Sequence, residues 1–140
     1  MTTVDEKLSA IMTLRRFMPT AEIDTIVDNI RGEEGQFFLD KIEELYRLVE
    51  TMPKTYEQDG LGELAVAHLH YFSGSGDWYI TDRDMEPVQH QAFGLADLYG
   101  DGGEIGYISI VELIREGVEL DLYWQPKTLA EIRAEKAVAT

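Results

Sequence analysis

The apolar residues of the first fifty positions recur at the spacing of helices rather than of strands. The clearest case is the segment in which Phe38, Ile42, Leu45 and Val49 share one face, with charged residues on the other. Pro53 ends this segment, because proline lacks the backbone donor that a helix interior needs. Two earlier apolar stripes have the same period, and they comprise Leu8, Ile11 and Met12, then Ile23, Ile26, Val27 and Ile30. The pattern predicts about three helices within residues 1–51.

From about residue 60 the period changes to that of strands, and glycine-rich turns separate short runs of β-branched and aromatic residues. The turn at residues 73–76 (SGSG) predicts a hairpin. The predicted strands are Leu64–Phe72, Asp77–Thr81, Val88–Tyr99, Ile105–Ser109 and Leu120–Trp124. A short helix is predicted over Ile110–Glu116. The spacing of Thr128 and Glu131 has the form of a capping box that opens a C-terminal helix.

Consecutive strands joined by short turns favour antiparallel pairing, and the helices precede and follow the strands instead of alternating with them. The sequence therefore predicts an α+β fold with an antiparallel sheet of four to five strands. A length of 140 residues supports one hydrophobic core. We expect a single domain over 1–140, with a helical segment at 1–51 and a sheet-containing region at 52–140.

Charge is the most unusual bulk property of the chain. Its 27 acidic and 12 basic side chains give a formal net charge of −15. Such a surface repels nucleic-acid phosphates, because phosphate binding depends on basic residues that displace counterions. Direct binding to nucleic acid is therefore not expected, whereas docking on a basic protein is compatible with this charge. Solubility alone is the alternative reason for an acidic surface.

The chain contains no cysteine, which excludes disulfides, thiolate nucleophiles and sulfur-ligated metal sites. Its N-terminus has neither the basic start nor the apolar run of a signal peptide. Apolar runs are also shorter than the roughly 18 residues that a membrane span requires. These features predict a cytoplasmic protein.

Several segments of the second half resemble a known family. The matching segments are residues 52–59 (MPKTYEQD), 70–81 (HYFSGSGDWYIT), 93–98 (FGLADL), 106–113 (GYISIVEL) and 120–129 (LDLYWQPKTL). Their order and spacing over residues 52–132 resemble a family called domain of unknown function 2958, which is carried largely by bacterial plasmids, phages and conjugative elements. The resemblance implies an accessory protein of a mobile genetic element. It implies no activity, cofactor or catalytic residue, and it leaves residues 1–50 outside.

Two histidines, His68 and His70, are two residues apart in a predicted strand and would project from the same face. This geometry suits a zinc or iron site that His90, Asp82 or Asp84 could complete, so a metal-dependent enzyme or metal-binding protein is an alternative function. The other interpretation is a polar, solvent-facing strand face. Since no motif fixes a third ligand, we predict no cofactor, no bound metal and no catalytic residue, and a protein that is not an enzyme.

Two aromatic pairs, at Trp78-Tyr79 and Tyr123-Trp124, could form a stacking platform for a base or a sugar. Aromatic residues of short strands more often belong to the core. A stacking site for nucleic acid would also need a basic groove. We therefore expect at least one of the two tryptophans to lie in the core.

Acidic side chains occur in local clusters that could face a basic partner. The candidate partner-binding residues are Glu33, Glu34, Asp40, Glu43, Glu44, Asp82, Asp84 and Glu86. We predict a non-enzymatic accessory protein that binds a protein partner, and a basic nucleic-acid-binding protein is one candidate for that partner. In this hypothesis the protein imitates DNA and acts as a counter-defence factor of the antirestriction or anti-CRISPR kind. A small-molecule or peptide-binding module is the remaining alternative, and it would show a concave apolar pocket.

Overall fold

The computed structural model describes residues 4–74 and 76–139. The N-terminal third forms three helices, α1 (Val4–Leu14), α2 (Thr20–Ile30) and α3 (Gly35–Thr51). The buried residues Ile23, Ile26, Ile42, Leu45 and Val49 are members of the apolar stripes of the sequence. In α1, however, Leu14 is buried, whereas Leu8 and Met12 of the predicted stripe are exposed. The three predicted helices are thereby confirmed, and they form one helical layer.

The central element of the fold is a five-stranded antiparallel sheet with the order β5-β4-β3-β2-β6. Its strands are β2 (Leu69–Ser73), β3 (Gly76–Asp82), β4 (Ala92–Asp97), β5 (Glu104–Ile108) and β6 (Glu119–Leu120). The neighbours β2 to β5 follow one another in the chain, because short turns join them. The predicted α+β class and antiparallel sheet are confirmed.

A second, two-stranded sheet pairs β1 (Val66–Ala67) with β7 (Lys127–Thr128). Helix α4 (Ile110–Arg115) follows β5, and Ser109 caps it by accepting a hydrogen bond from the Glu112 N–H. Helix α5 (Leu129–Ala139) follows β7. Its capping box is formed in both directions, since Thr128 Oγ1 accepts from the Glu131 N–H and the Glu131 carboxylate accepts from the Thr128 N–H.

The five-stranded sheet buries its inner face and part of its outer face. On the inner face Leu69, Tyr71 and Ile80 pack with the helical layer in one hydrophobic cluster. On the outer face Tyr79 and Leu95 pack with side chains of α5, among them Leu129 and Ile132. The helical layer and the sheet therefore share a core, and α5 covers part of the opposite face.

Three predicted strands differ from the observed ones by more than one residue at an end, and in two of them a side chain accepts nearby backbone N–H groups. The strand predicted over Leu120–Trp124 ends at Leu120, where the Asp121 carboxylate accepts the Tyr123 N–H and forms a turn. The strand predicted over Val88–Tyr99 begins at Ala92. Residues 84–91 form a loop in which the Asp84 carboxylate accepts the N–H groups of Glu86 and Gln91.

The strand predicted over Leu64–Phe72 is divided at His68, where the chain passes from the small sheet to the large one. The His68 N–H donates to the Ile80 carbonyl across this junction.

Within residues 4–74 and 76–139, no helix has the length and apolarity needed to cross a membrane.

Candidate functional site

The outer face of the sheet contains a cavity of about 370 Å³ next to the start of α5. We call it the outer cavity. It is bounded by β3, β4 and β5, by Leu129 of α5 and by the loop at residues 56–65. Its lining consists of Tyr56, Gln58, Asp59, Gly60, Gly62, Ala65, Thr81, Asp82, Phe93, Ile105 and Leu129. Cavities that bind small molecules have this order of volume and a mainly apolar lining.

A β-bulge places the carboxylate of Asp82 in this cavity. The pairing of β3 with β4 shifts register between Ile80 and Asp82, so that Asp82 lies opposite Phe93. Without the extra residue, alternation would place Asp82 on the same face as Ile80, in the inner core. The bulge thus directs an acidic side chain into the outer cavity.

The Asp82 side chain is only 2% exposed and accepts two hydrogen bonds. One oxygen accepts from the Thr81 hydroxyl at 2.6 Å, and the other accepts from the Gln58 N–H at 3.1 Å. Among the residues that the structure describes, no lysine or arginine forms an ion pair with Asp82. The Asp82 charge is therefore hydrogen-bonded but is not paired with a cation.

His68 is the titratable ring that interacts with this carboxylate. Burial lowers the pKa of His68, and the attraction of Asp82 opposes that effect without reversing it. A lowered pKa keeps the imidazole neutral at pH 7. His68 therefore does not neutralise Asp82.

The loop over the outer cavity is held by side-chain hydrogen bonds to the sheet. The Gln58 amide donates to the carbonyls of Val66 and Thr81, and its oxygen accepts from the Val66 N–H. At the rim, the hydroxyl of Tyr56 is hydrogen-bonded to that of Tyr107 on β5. Tyr56 also has a φ of 79°, a left-handed conformation that is uncommon for a residue with a side chain. The loop is ordered by specific polar contacts and presents an aromatic ring at the opening.

A second polar centre lies on the same face of the sheet, around His70. Its Nε2 is 2.8 Å from an Asp77 oxygen, and its Nδ1 is 3.0 Å from an Asp121 oxygen. Because ionised carboxylates accept but do not donate, both contacts are hydrogen bonds only when both ring nitrogens carry protons. Tyr79 stacks on the imidazole with ring centroids 4.7 Å apart, and Trp124 covers it from another side.

Lys136 connects helix α5 to this polar centre on the sheet. Its ammonium lies 2.7 Å from an Asp97 oxygen and 3.2 Å from an Asp77 oxygen. Burial lowers the pKa of Lys136, but the hydrogen bond to Asp97 and the charge of Asp77 raise it, and the net change is upward. The same hydrogen bond lowers the pKa of Asp97, whose side chain is 1% exposed. We call His70, Asp77, Asp97, Asp121 and Lys136 the charge network, and its contacts attach α5 to the sheet.

The sequence candidates for partner binding lie in two different environments. Glu33, Glu34, Asp40 and Glu44 are exposed on the helical layer, and Glu43 is half-buried. Glu86 is exposed in the loop before β4. Asp82 and Asp84 are buried, and hydrogen bonds to the backbone hold their carboxylates inside. These two residues therefore do not belong to an acidic surface, in contrast to the sequence prediction.

The histidine candidates are also separated by the fold. His70 is engaged by two carboxylates and is largely buried, so the prediction of a solvent-facing strand face is wrong at this position. His90 is exposed in the loop before β4. Within residues 4–74 and 76–139 no three histidine, aspartate or glutamate side chains are grouped so that they could hold a metal ion.

The tryptophans are placed as the core interpretation predicted. Trp78 packs against the cluster between the sheet and the helical layer. Trp124 packs on Tyr79 and donates from its indole to the Ala67 carbonyl at 3.0 Å. The sequence did not predict roles for Gln58, Asp77, Asp121 and Lys136, because their contacts join residues up to 59 positions apart in the chain.

The fold and this site define an α+β protein in which an antiparallel sheet carries a helical layer on one face and a ligand-sized cavity on the other. The model of the family described as "Protein of unknown function (DUF2958)" matches residues 39–138, and the chain belongs to this family. The match begins within α3 rather than at residue 52, so the family pattern includes part of the helical layer. A search of curated proteins and a search of solved structures each found no match.

Proposed function

We propose that this chain is a non-enzymatic binding protein that docks on a basic protein through the acidic surface of its helical layer. The observation that carries the proposal is the distribution of charge on α3. Its outward face carries Asp40, Glu43, Glu44 and Glu50, and Arg47 is the exposed cation among them. Glu33 and Glu34 extend the acidic surface at the start of the same helix. We call these six acidic residues the α3 acidic face.

Residues three and four positions apart on a helix lie about 5–6 Å apart, so the α3 acidic face is a row of closely spaced carboxylates. Glu43 pairs with Arg47 and Glu44 pairs with Lys41, and the acidic residues still outnumber these two cations. A groove on a basic protein that accepts the phosphates of DNA would attract such a row. Occupancy of that groove by the helix would exclude nucleic acid. Charge complementarity of this kind mainly accelerates association and selects the partner.

The mobile-element context that the resemblance of residues 52–132 implies would suit a counter-defence role. Genes of mobile elements meet host nucleases and restriction complexes, whose DNA-binding grooves are basic. We propose that the protein acts in the cytoplasm of a bacterium as an accessory factor of a plasmid or phage. The partner would then be a nuclease or restriction complex whose DNA site the α3 acidic face occupies.

The test uses two triple variants that have the same net charge. Glu33→Gln, Glu34→Gln and Asp40→Asn remove three charges of the α3 acidic face and leave the ion pairs of Glu43 and Glu44 intact, whereas Glu104→Gln, Glu112→Gln and Glu116→Gln neutralise exposed acids of the sheet region. Each set changes the formal charge from −15 to −12, which is −15 plus three. Binding of fluorescently labelled protein to the arginine-rich protein protamine is measured by anisotropy, with and without a competing DNA duplex.

We expect the α3 variant to bind protamine about fivefold more weakly than the wild type, and the control variant within about twofold, because local charge rather than total charge decides the contact. Binding should also weaken as salt rises and the Debye length falls to about 8 Å. Equal weakening in both variants would mean that only bulk charge acts, and would contradict the proposal.

The outer cavity favours a second candidate function, that of a small-molecule binding module. The cavity supports this function independently of the α3 acidic face, since it lies on the opposite face of the sheet from the helical layer. Saturation-transfer NMR with a set of small aromatic compounds tests this function. Failure of every compound to contact the protein would remove it.

A further inference from the structure

We infer that the outer cavity is a site for a small organic cation, an ammonium or guanidinium group on an apolar body. The inference rests on the second candidate function, ligand binding in this cavity, and specifies the chemistry of the ligand. It does not depend on the α3 acidic face.

The lining of the cavity has one sign of charge. Two of its residues, Asp59 and Asp82, are acidic, and none is lysine, arginine or histidine. Asp59 is exposed at the opening, whereas Asp82 is buried at the sheet. An anionic ligand would meet two carboxylates and no compensating cation in the lining, and the cavity therefore disfavours anions.

The buried carboxylate of Asp82 has unused capacity for hydrogen bonds. A carboxylate offers about four acceptor positions, and the donors to Asp82 are the Thr81 hydroxyl and the Gln58 N–H. A buried charge is stabilised most effectively by a cation that also donates hydrogen bonds. Since no lysine or arginine in the described part of the chain supplies that cation, a ligand can.

The remaining walls suit the apolar body of such a ligand. Phe93, Ile105 and Leu129 provide apolar surface, and Tyr56 presents an aromatic ring at the rim. Aromatic faces attract cations within about 6 Å of the ring centroid. The volume of about 370 Å³ matches a small molecule better than a chain segment, which requires an open groove or a free strand edge.

The probes for the test share one apolar body and differ in charge. Phenethylammonium and phenethylguanidinium carry the cation, phenethyl alcohol is neutral and phenylacetate is an anion. Binding to the full chain is measured by chemical-shift titration, which also locates the site through the amides of residues 81, 82 and 93. We expect both cations to bind at least about tenfold more tightly than the alcohol, and phenylacetate not to bind.

The matched variants are Asp82→Asn and Asp84→Asn. Both remove a buried, hydrogen-bonded carboxylate, but Asp84 does not line the cavity. Asp82→Asn should weaken binding of phenethylammonium at least about tenfold, whereas Asp84→Asn should change it less than about twofold. A second pair of variants tests the selection of cations without substituting a buried residue, since Ile105 at the rim is 41% exposed. Ile105→Lys should abolish binding of the cations, and Ile105→Glu should retain it.

Each outcome decides the inference. Equal binding of the alcohol and the ammonium would show a ligand site that does not select cations, so the inference fails while the ligand-binding function stands. Absence of binding by all four probes would remove both. If Asp82→Asn does not fold, the two Ile105 variants decide, and equal binding by them overturns the inference. Tighter binding of the peptide acetyl-Gly-Arg-Gly-amide than of phenethylguanidinium would place the cation on a peptide and overturn the small-molecule assignment.

Discussion

Among single residues, Tyr71 joins the sheet to the helical layer by a buried hydrogen bond. Its side chain is fully buried, and its hydroxyl donates to the carbonyl of Phe17, which follows α1. Burial raises the pKa of Tyr71 well above its ordinary value, and the charge of Glu22 adds to this effect. Tyr71 therefore stays neutral and acts as a hydrogen-bond donor in the core.

Tyr71→Phe should lower the free energy of unfolding by about 1–2 kcal/mol, because the Phe17 carbonyl then remains buried without its donor. Urea denaturation of the wild type and the variant measures the difference. Tyr123→Phe is the matched control, since the Tyr123 ring is 68% exposed. It should change stability by less than about 0.5 kcal/mol. A loss of equal size in both variants would contradict the role given to the Tyr71 hydroxyl.

Glu22 is a second residue of interest, because its environment makes the stability of the fold depend on pH. Burial raises the pKa of Glu22 from 4.5 to about 7, and the charges of Glu119 and Asp121 add to the rise. The hydrogen bond that its carboxylate accepts from the Leu120 N–H lowers the pKa and offsets only part of the rise. The folded state therefore binds a proton more tightly than the unfolded state. Above pH 7 the buried charge reduces stability, and the reduction disappears as the pH falls from about 7 to 4.5.

Glu22→Gln keeps an oxygen for the Leu120 N–H but removes the charge. We expect a gain in unfolding free energy on the order of 1–2 kcal/mol at pH 8, after allowance for partial solvent screening, and no gain at pH 4.5. Unfolding curves at both pH values measure it. Asp24→Asn, which removes an exposed charge of the same helix, controls for net charge. A gain that is independent of pH would rule out this explanation.

Among the secondary-structure elements, α5 is attached to the sheet by both apolar contacts and ion pairs. Its hydrophobic contacts with the sheet involve Leu129 and Ile132 near its start, whereas Lys136 holds its later part through Asp77 and Asp97. Removal of one member of a buried ion pair leaves the other charge without compensation. The charge network therefore positions the second half of the helix.

Lys136→Met should destabilise the protein by about 2 kcal/mol, less than for a fully buried pair because Lys136 is 30% exposed. Amide hydrogen exchange should accelerate in residues 133–138 before other helices are affected. The double variant Lys136→Met with Asp97→Asn should recover part of the loss, since the orphaned carboxylate is gone. Additive losses in the double variant would show that the two side chains do not act as a pair.

For the molecule as a whole, the helical layer is an integral part of the fold. Residues of α1, α2 and α3 and residues of the sheet belong to one hydrophobic cluster, which includes the fully buried Leu69, Tyr71 and Ile80. The family match confirms that part of α3 belongs with the sheet. Helices α1, α2 and α3 therefore share their core with the sheet.

A chain that starts at residue 52 should fail to fold, because the inner face of the sheet would lose its cover and expose apolar surface at about 25 cal/mol per Å². Near-ultraviolet circular dichroism and dispersion of amide NMR signals measure the outcome. Addition of a separate peptide of residues 1–51 should restore native signals at least in part. A cooperatively unfolding fragment 52–140 would contradict the shared core.

How much the sequence determined depends on the range of the interactions. It determined the three N-terminal helices, the antiparallel class of the sheet and the capping box of Thr128 and Glu131, because periodicity, turns and caps arise from neighbouring residues. Side chains that bond to nearby backbone, as at Asp84 and Asp121, shifted the strand ends, since they compete with the strand for the same N–H groups.

Only the tertiary structure decided the chemistry of the outer face. Asp82 belonged to an apparent acidic run with Asp84 and Glu86, and one extra residue in β3 turned it into the cavity. Alternation predicts an exposed polar position for His70, but Tyr79 and Trp124 pack against its ring and Asp77 and Asp121 contact its nitrogens. The contacts that set these environments join residues far apart in the chain, and a linear pattern does not record which of its polar positions will meet a second layer.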